Sequence, residues 1–321
     1  MKLSDLVAYR NLLNEHFDIN SRDVVNQTMT PVQHIIETHD IQFPELLQEL
    51  KQSRTAVLDE INNFTDGLKN IRDEIERMIG TIEPTYLSNS YRLYEKEMVN
   101  DSSEKILERR PNLDDGTKAY LLGRIRLHSD WRHAGMIIRP GLEDWITDLV
   151  ALDPLYLVDQ RYDLLTNSIE KFNVEYQRRL RPYVIRESSD YPMMNELPNG
   201  QFSFCLAYNF FNFKPFEIVR GYLHEIYDKL APGGVLGMTF NDCDRKGAVI
   251  NAERNYMCYT PGSMVRGVAQ SMGYIVVQTY HIDAASTWME LRKPGQIQSL
   301  KGGQTLARIN HRPDPKVDNP Q

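Results

Sequence analysis

The chain lacks any uninterrupted apolar run approaching the roughly 18 to 20 residues that a membrane-spanning helix needs. Its opening stretch, MKLSDLVAYRNLLNEHF, is acidic and amphipathic rather than basic and then apolar, unlike a secretory signal. A location inside a cell, in the cytoplasm and off the membrane, is therefore expected. Cysteine is scarce, with 3 residues, Cys205, Cys243 and Cys258, and these form neither a CxxC pair nor a Cys/His cluster. That excludes a disulfide framework and a zinc site of the usual spacing, and reduced thiols are expected. Positive charge is not in excess either: 37 Lys and Arg stand against 44 Asp and Glu, a net charge of −7. Unspecific nucleic-acid binding, which depends on neutralising phosphates, is not favoured by that balance. The run Arg178, Arg179, Arg181 and Arg186 is either a local basic patch or a solvated helix face. His128, Asp130 and His133 lie close together without ligand spacing, so no metal is expected, and Gly302-Gly303 is too isolated for a phosphate loop.

What is present is a packed protein of 321 residues, long enough for two structural units, with 41% hydrophobic and 25% charged residues. Residues 1–128 read as helical, with breaks near Asn20, Pro31, Pro44, Pro84 and Pro111. Within them, about 47–82, Leu47, Leu50, Arg54, Val57, Ile61, Phe64, Leu68, Ile71, Ile75, Met78 and Ile82 follow one another in alternating steps of three and four, and only Arg54 is not apolar. This is the heptad pattern of a left-handed coiled coil, because a seven-residue repeat keeps its stripe on a partner only when the helices supercoil. The helix would be about 54 Å long at 1.5 Å per residue. Its partner is either a second copy, giving a homo-oligomer, or a flanking helix such as the one carrying Val24, Val25, Val32, Ile35 and Ile36.

From about residue 129 to 295 the texture changes to short apolar runs alternating with helical stretches, the α/β signal. Strands are expected at 135–139, 154–158, 183–187, 202–208 and 235–240, and helices are expected to begin near Leu142, Arg161 and Pro215. The helix over 216–230 should stop at Ala231-Pro232-Gly233-Gly234. After a helix over 261–272, the last two strands, 274–281 and 286–292, are joined by only Ile282 to Ala285. They must be antiparallel, since a parallel crossover needs a dozen or more residues. Residues 296–321, rich in Gly, Gln, Pro and charge, read as an extended tail.

Five β-α units followed by an antiparallel hairpin resemble the class I S-adenosylmethionine-dependent methyltransferases, over residues 135–292. The resemblance implies an α/β, Rossmann-like seven-stranded sheet with its final strand antiparallel, S-adenosylmethionine as cofactor, and methyl transfer to an acceptor that no motif identifies. The family's glycine-rich loop after the first strand corresponds here to Ile137-Ile138-Arg139-Pro140-Gly141-Leu142-Glu143, with one glycine and a proline. Arg139 and Gly141 are thus candidate cofactor residues, although Gly141 is equally an ordinary turn glycine. Asp159, with Gln160 beside it, ends the second strand, where an acid accepts from ribose hydroxyls in nucleoside-binding α/β folds; its other reading is a helix N-cap. Asp190 and Tyr191 match the family's adenine contacts, or a helix cap.

The fourth strand leads into Tyr208-Asn209-Phe210-Phe211-Asn212-Phe213. Its position is similar to that of the Asn-Pro-Pro-Tyr motif of amino-methylating enzymes, without the prolines. Asn209 is a candidate for cofactor contact and catalysis and Phe210 for packing on the sulfonium, against the alternative of core phenylalanines. At the end of the fifth strand, Asp242 and Asp244 are candidate bases or orienting groups, near Glu253, Arg254, Tyr256, Cys258 and Tyr259. The runs Arg139-Pro140-Gly141, 208–213 and 239–245 also resemble methyltransferase-like proteins of large tailed phages, which would place the chain in a host cytoplasm or a virion. The single glycine and the coiled coil fit a second reading, a non-catalytic structural or assembly protein that keeps the fold.

Overall fold

A computed structural model describes residues 2–18, 44–96, 109–111, 113–140, 144–186 and 193–297, with isolated helical residues at 30, 34 and 37. Gly141, Asp190, Tyr191 and the expected tail beyond residue 297 lie outside the described residues, as does the segment holding Val24, Val25, Val32, Ile35 and Ile36. The chain divides into two compact units, residues 1–84 and 85–321.

The first unit contains α1 (Leu3–Asp18) and most of α2 (Pro44–Lys96), a helix of 53 residues that holds the whole heptad stretch. Pro84 was expected to break the chain, yet it lies inside α2. Proline removes a single backbone donor, which a long helix tolerates as a local defect. The division into compact units falls at this proline, so residues 85–128 are counted with the second unit. The reason is α3 (Asp115–His128), whose Thr117, Leu121 and Ile125 recur at four-residue steps and are buried; Leu121 and Ile125 belong to the core of the sheet.

In the second unit the strands are β1 (Ala134–Ile138), β2 (Leu155–Asp159), β3 (Leu180–Val184), β4 (Phe202–Ala207), β5 (Leu230–Asn241), β6 (Ile275–His281) and β7 (Ser286–Arg292). The helices are α4 (Tyr162–Ile169), α5 (Val174–Gln177), α6 (Phe216–Lys229), α7 (Lys246–Glu253) and α8 (Gly262–Ser271), with 3-10 turns at Asp144–Leu149 and Phe211–Phe213. The order across the sheet is β3-β2-β1-β4-β5-β7-β6. The pairs among β1 to β5 are parallel, while β7 runs antiparallel to both β5 and β6. A reversed strand slipped between the fifth and sixth defines the methyltransferase form of the Rossmann-like sheet, as expected.

Two expected strands are displaced. The third covers 180–184 instead of 183–187, pairing Leu155 with Leu180 and Asp159 with Val184. It is an edge strand with mostly exposed residues, so Arg181 and Pro182 fit in it and no apolar run marks it. The fifth begins at Leu230, five residues before the expected start: Leu230 pairs with Phe202 and the ladder shifts before resuming at Val235. The Ala-Pro-Gly-Gly run is an irregularity within the strand, with Gly233 at φ 82°.

Alternation along the strands feeds two cores. Met136, Ile138, Cys205 and Met238 pack with Val219, Tyr222 and Ile226 of α6 and Val265 of α8. Ile137, Leu157, Phe204, Leu206 and Trp288 pack with α3 and with Trp145 and Leu149 of the first 3-10 turn. Gly237 makes room for this second core, since a Cβ there would lie 2.7 Å from the Trp288 ring.

One charged group sits inside it. Glu290 of β7 has no exposed side-chain surface and accepts from Arg124 through both oxygens, from His128 Nε2 at 3.2 Å and from Trp288 Nε1 at 3.0 Å. Burial by itself pushes its pKa up, but the bonds from Arg124, His128 and Trp288 outweigh it and hold the carboxyl at about 2 instead of 4.5. With a folded pKa below the unfolded one, Glu290 stabilises the fold above about pH 4.5 and loses that contribution as pH falls toward 2. Glu290→Gln is expected to cost about 3–5 kcal/mol in urea unfolding at neutral pH, because Arg124 loses its buried partner, and the deficit should shrink in acid.

Candidate functional site

The parallel strands end on one edge of the sheet, where open α/β folds place their ligands. β1 ends at Ile138, and Arg139 turns out of it at φ 59°, in the left-handed region. Its amide still donates to Val158 O at 2.8 Å. Its buried guanidinium donates to Asn209 O at 3.4 Å and lies 4.7 Å from the centre of the Phe210 ring. One arginine therefore spans from the end of β1 to the end of β4.

Asp159 closes β2 and is 7% exposed. Its Oδ1 accepts from the Arg161 amide at 3.0 Å, a turn that leads into α4, whose N-cap residue is Arg161 itself. Its Oδ2 is sealed from solvent and has no hydrogen-bond partner. Burial raises the pKa of this carboxyl, against the lowering effects of the Arg161 amide, the Arg139 guanidinium, the Gln160 amide and the Lys214 ammonium.

Asn209 follows β4 at φ 50° and is fully buried. Its amide donates to Thr239 Oγ1 of β5 at 2.6 Å, but its side-chain Oδ1 and Nδ2 have no partner. A buried amide left unmatched costs of the order of 1–3 kcal/mol, so two such groups on one edge mark a place where the fold withholds its own partners. Phe210 is edge-on to Phe211 at 5.1 Å and to Tyr222 at 5.0 Å, within the core. Its ring also lies 5.1 Å from the Lys214 ammonium.

Sequence reading missed Lys214. It is 3% exposed, and its Nζ lies 3.4 Å from Tyr94 Oη. The available signal was a single cation inside the apolar run 210–216. Tyr94 and Ser90 come from the last turns of α2, where Ser90 Oγ accepts from the Tyr259 amide at 2.8 Å.

Asp242 and Asp244 belong to a different cluster at the end of β5. Asp242 Oδ1 accepts from the amides of Gly262 at 3.0 Å and Asp244 at 3.2 Å, and its Oδ2 accepts from Thr287 Oγ1 at 2.8 Å. Asp244 accepts from the Ser263 amide at 2.5 Å and its hydroxyl at 3.1 Å. Together they secure the first turn of α8. Burial raises the pKa of Asp242, with the Asp244 charge adding to it. His281 Nδ1 lies 2.9 Å from Thr287 Oγ1, extending the cluster to the end of β6. Among the other residues near this strand, Tyr256 O accepts from Arg109 at 3.0 Å, and Cys258 and Tyr259 are buried.

The structure thus brings Arg139, Asp159, Asn209 and Phe210 together, adds Lys214, and keeps Asp242 and Asp244 as holders of α8. Gln160 lies next to Asp159, whose pKa its amide lowers. His128 belongs to the Glu290 cluster, and among the described residues no group of His, Cys, Asp and Glu is arranged to hold a metal ion. Nor is any described helix long and apolar enough to cross a membrane.

No protein-family model and no curated protein matches this chain. Solved structures of similar fold include the N-methyltransferase NodS from Bradyrhizobium japonicum in complex with S-adenosyl-l-homocysteine, 13% identical over 60% of this chain and 100% of that one, TM-score 0.43. A geranyl diphosphate C-methyltransferase from Streptomyces coelicolor is 6% identical over 55% and 80%, TM-score 0.44. A SAM-dependent methyltransferase from Aquifex aeolicus is 14% identical over 64% and 97%, TM-score 0.38. The assignment of the fold rests on the order and direction of this chain's own strands.

The α8 cap leaves no space at Gly262, where a Cβ would meet Asp242 Oδ1 at 2.5 Å. Gly262→Ala is expected to destabilise the protein by about 1–3 kcal/mol in thermal or urea unfolding, while Gly267→Ala, with open space around the added Cβ in the same helix, should be neutral or stabilising.

Proposed function

We propose that the chain is an S-adenosylmethionine-dependent methyltransferase whose nucleoside site lies between the ends of β1, β2 and β4. The observation that carries this reading is the unpartnered, buried Oδ2 of Asp159 at the end of β2. A ribose diol offers two hydroxyl donors, which are what a buried carboxylate oxygen without a partner requires. The orphaned amide of Asn209 adds a donor and an acceptor on the neighbouring side, so the residues present fit a nucleoside. Arg139 and Gln160 flank the acid, and Phe210 lends an aromatic surface beside Arg139. Gly141 would pass the backbone near the ligand, and Asp190 with Tyr191 would meet the base.

When bound, S-adenosylmethionine supplies an electrophilic methyl group on sulfur, and the protein's task is then to orient the acceptor in line and exclude water. Asn209 is the candidate to orient an acceptor nitrogen or oxygen through its free amide. Asp242 and Asp244 act at one remove, by fixing the start of α8 at the same edge. A second reading, a non-catalytic scaffold or assembly protein such as a virion component, is favoured by one observation. The Arg139 guanidinium bonds Asn209 O and rests on Phe210, joining the two strand ends between which a nucleoside would be held.

Calorimetric titration with S-adenosylmethionine and S-adenosylhomocysteine separates the readings, because heat and thermal stabilisation are expected from an enzyme, and neither from a scaffold. Asp159→Asn should weaken binding about ten- to hundredfold, the value of one or two hydrogen bonds to a charged acceptor. In the ligand-free protein the same substitution should raise the thermal midpoint. The pKa of Asp159 is raised in the folded state, so its ionised form costs stability as pH rises through the carboxylate range. The gain is therefore greatest at neutral pH and disappears once the carboxyl is protonated in both states. A fall in both affinity and midpoint would mean that Asp159 serves the fold.

A further inference from the structure

Asp159 and Asn209 are not the last unmatched groups at this edge. Asn212 Oδ1, Asn241 Oδ1 and Ser286 Oγ are also sealed from solvent and without hydrogen-bond partners, in side chains of residues that are 0 to 1% exposed. β5 ends at Asn241, and β7, running the other way, begins at Ser286 on the same edge. The two residues face each other in the ladder, so their side chains are neighbours on one face of the sheet, yet neither oxygen engages the other. Thr239, two residues before Asn241 and so on that face, holds the Asn209 amide. Asn212 lies one 3-10 turn beyond Asn209; its main-chain carbonyl accepts from the Cys258 amide at 3.0 Å, while Asn241 Nδ2 donates to the Cys258 carbonyl at 2.9 Å. The unmatched groups therefore run from β4 across β5 to β7, strands that are neighbours in the sheet and together cover about 10 Å.

We propose that this row is the acceptor subsite and that the group it takes is a primary amine, an inference that rests on the methyltransferase reading and makes it more specific. Asn241 Nδ2 is committed to Ala248 O at 3.0 Å and to Cys258 O, which fixes Oδ1 as the atom left over. With Asn209 and Asn212 this makes three amide oxygens that lack a donor, against one free amide donor, Asn209 Nδ2, and a hydroxyl that does either. A carboxylate or phosphate ester would bring only more acceptor atoms, and an alcohol brings a single hydrogen. An amino group offers two. Asn209 stands both beside the nucleoside site and in this row, so donor and acceptor meet at the end of β4. There the nitrogen lone pair forms the N–C bond, the C–S pair returns to sulfur to leave S-adenosylhomocysteine, and one N–H proton passes to water. Enclosure of the row keeps water from competing as the methyl acceptor.

Benzylamine, benzyl alcohol and benzoate share a skeleton and differ in the reacting group. With S-adenosylmethionine tritiated in its methyl group, label is expected in benzylamine and in neither of the others. Ser286→Ala and Asn212→Leu each remove an unmatched oxygen, at the expense of no more than the contact of Asn212 Nδ2 with Met257 Sδ at 4.0 Å. Both variants are expected to bind S-adenosylhomocysteine within about threefold of the wild type and to transfer label to benzylamine about tenfold more slowly. Their thermal midpoints should hold or rise, because an unmatched buried oxygen is a cost to the fold. A lower midpoint would mean that the oxygen serves the fold through a buried water, and would overturn the subsite. Label in benzyl alcohol or benzoate, no label in benzylamine with cofactor bound, or unchanged transfer in both variants would overturn it as well. A wild type that binds no S-adenosylhomocysteine would instead remove the methyltransferase reading, and the subsite with it.

Discussion

The second unit depends on reversing one strand inside a parallel sheet, and Glu290 is where that reversal is secured. β7 enters between β5 and β6 in the opposite direction, which sets Glu290 across from Gly237 and Trp288 across from Thr239. The carboxylate stays ionised in the core because Arg124 and His128 reach it from α3 and Trp288 from its own strand. One acid thus ties the helix that covers the sheet to the strand that completes it. The absence of a side chain at Gly237 leaves the space that the Trp288 ring fills.

The edge at which the parallel strands end follows the opposite rule. Glu290 collects every donor it needs, whereas Asp159 keeps one oxygen and Asn209 its whole side-chain amide without partners. Arg139 and Asn209 both adopt left-handed backbone, a conformation that costs a residue with a Cβ about 1–3 kcal/mol and persists only where the surroundings impose it. Here the constraint is mutual, since the arginine of one turn bonds the carbonyl of the other. Strain and unmet polar groups coincide at the ends of β1, β2 and β4, while after β5 both Asp242 and Asp244 are engaged in holding α8 and the unmatched group is Asn241 Oδ1.

The sequence carried much of the fold because the signals are local. Four residues between 281 and 286 dictate an antiparallel pair, and the heptads of 47–82 lie within one continuous helix. Asp159 was visible as the acid that ends an apolar run. β3 was misplaced because an edge strand buries little and tolerates Arg181 and Pro182. The start of β5 was hidden because pairing with Phe202 extends it across residues that by themselves signal a stop. Asp242 and Asp244 read as free acids, although residues 19 to 45 positions away occupy their oxygens.

By itself, then, the sequence determined what depends on neighbours a few residues apart: the period of α2, the hairpin that closes the sheet and the order of strands and helices. Only the tertiary structure decided which polar groups are satisfied. Arg124 lies 166 residues from Glu290, and Arg139 lies 70 from Asn209. Whether a buried carboxylate ends with donors from three residues, as Glu290 does, or with an unmatched oxygen, as Asp159 does, is settled by contacts that exist only once the sheet has formed. Desolvation and hydrogen bonding are properties of that assembled surrounding and leave no pattern along the chain.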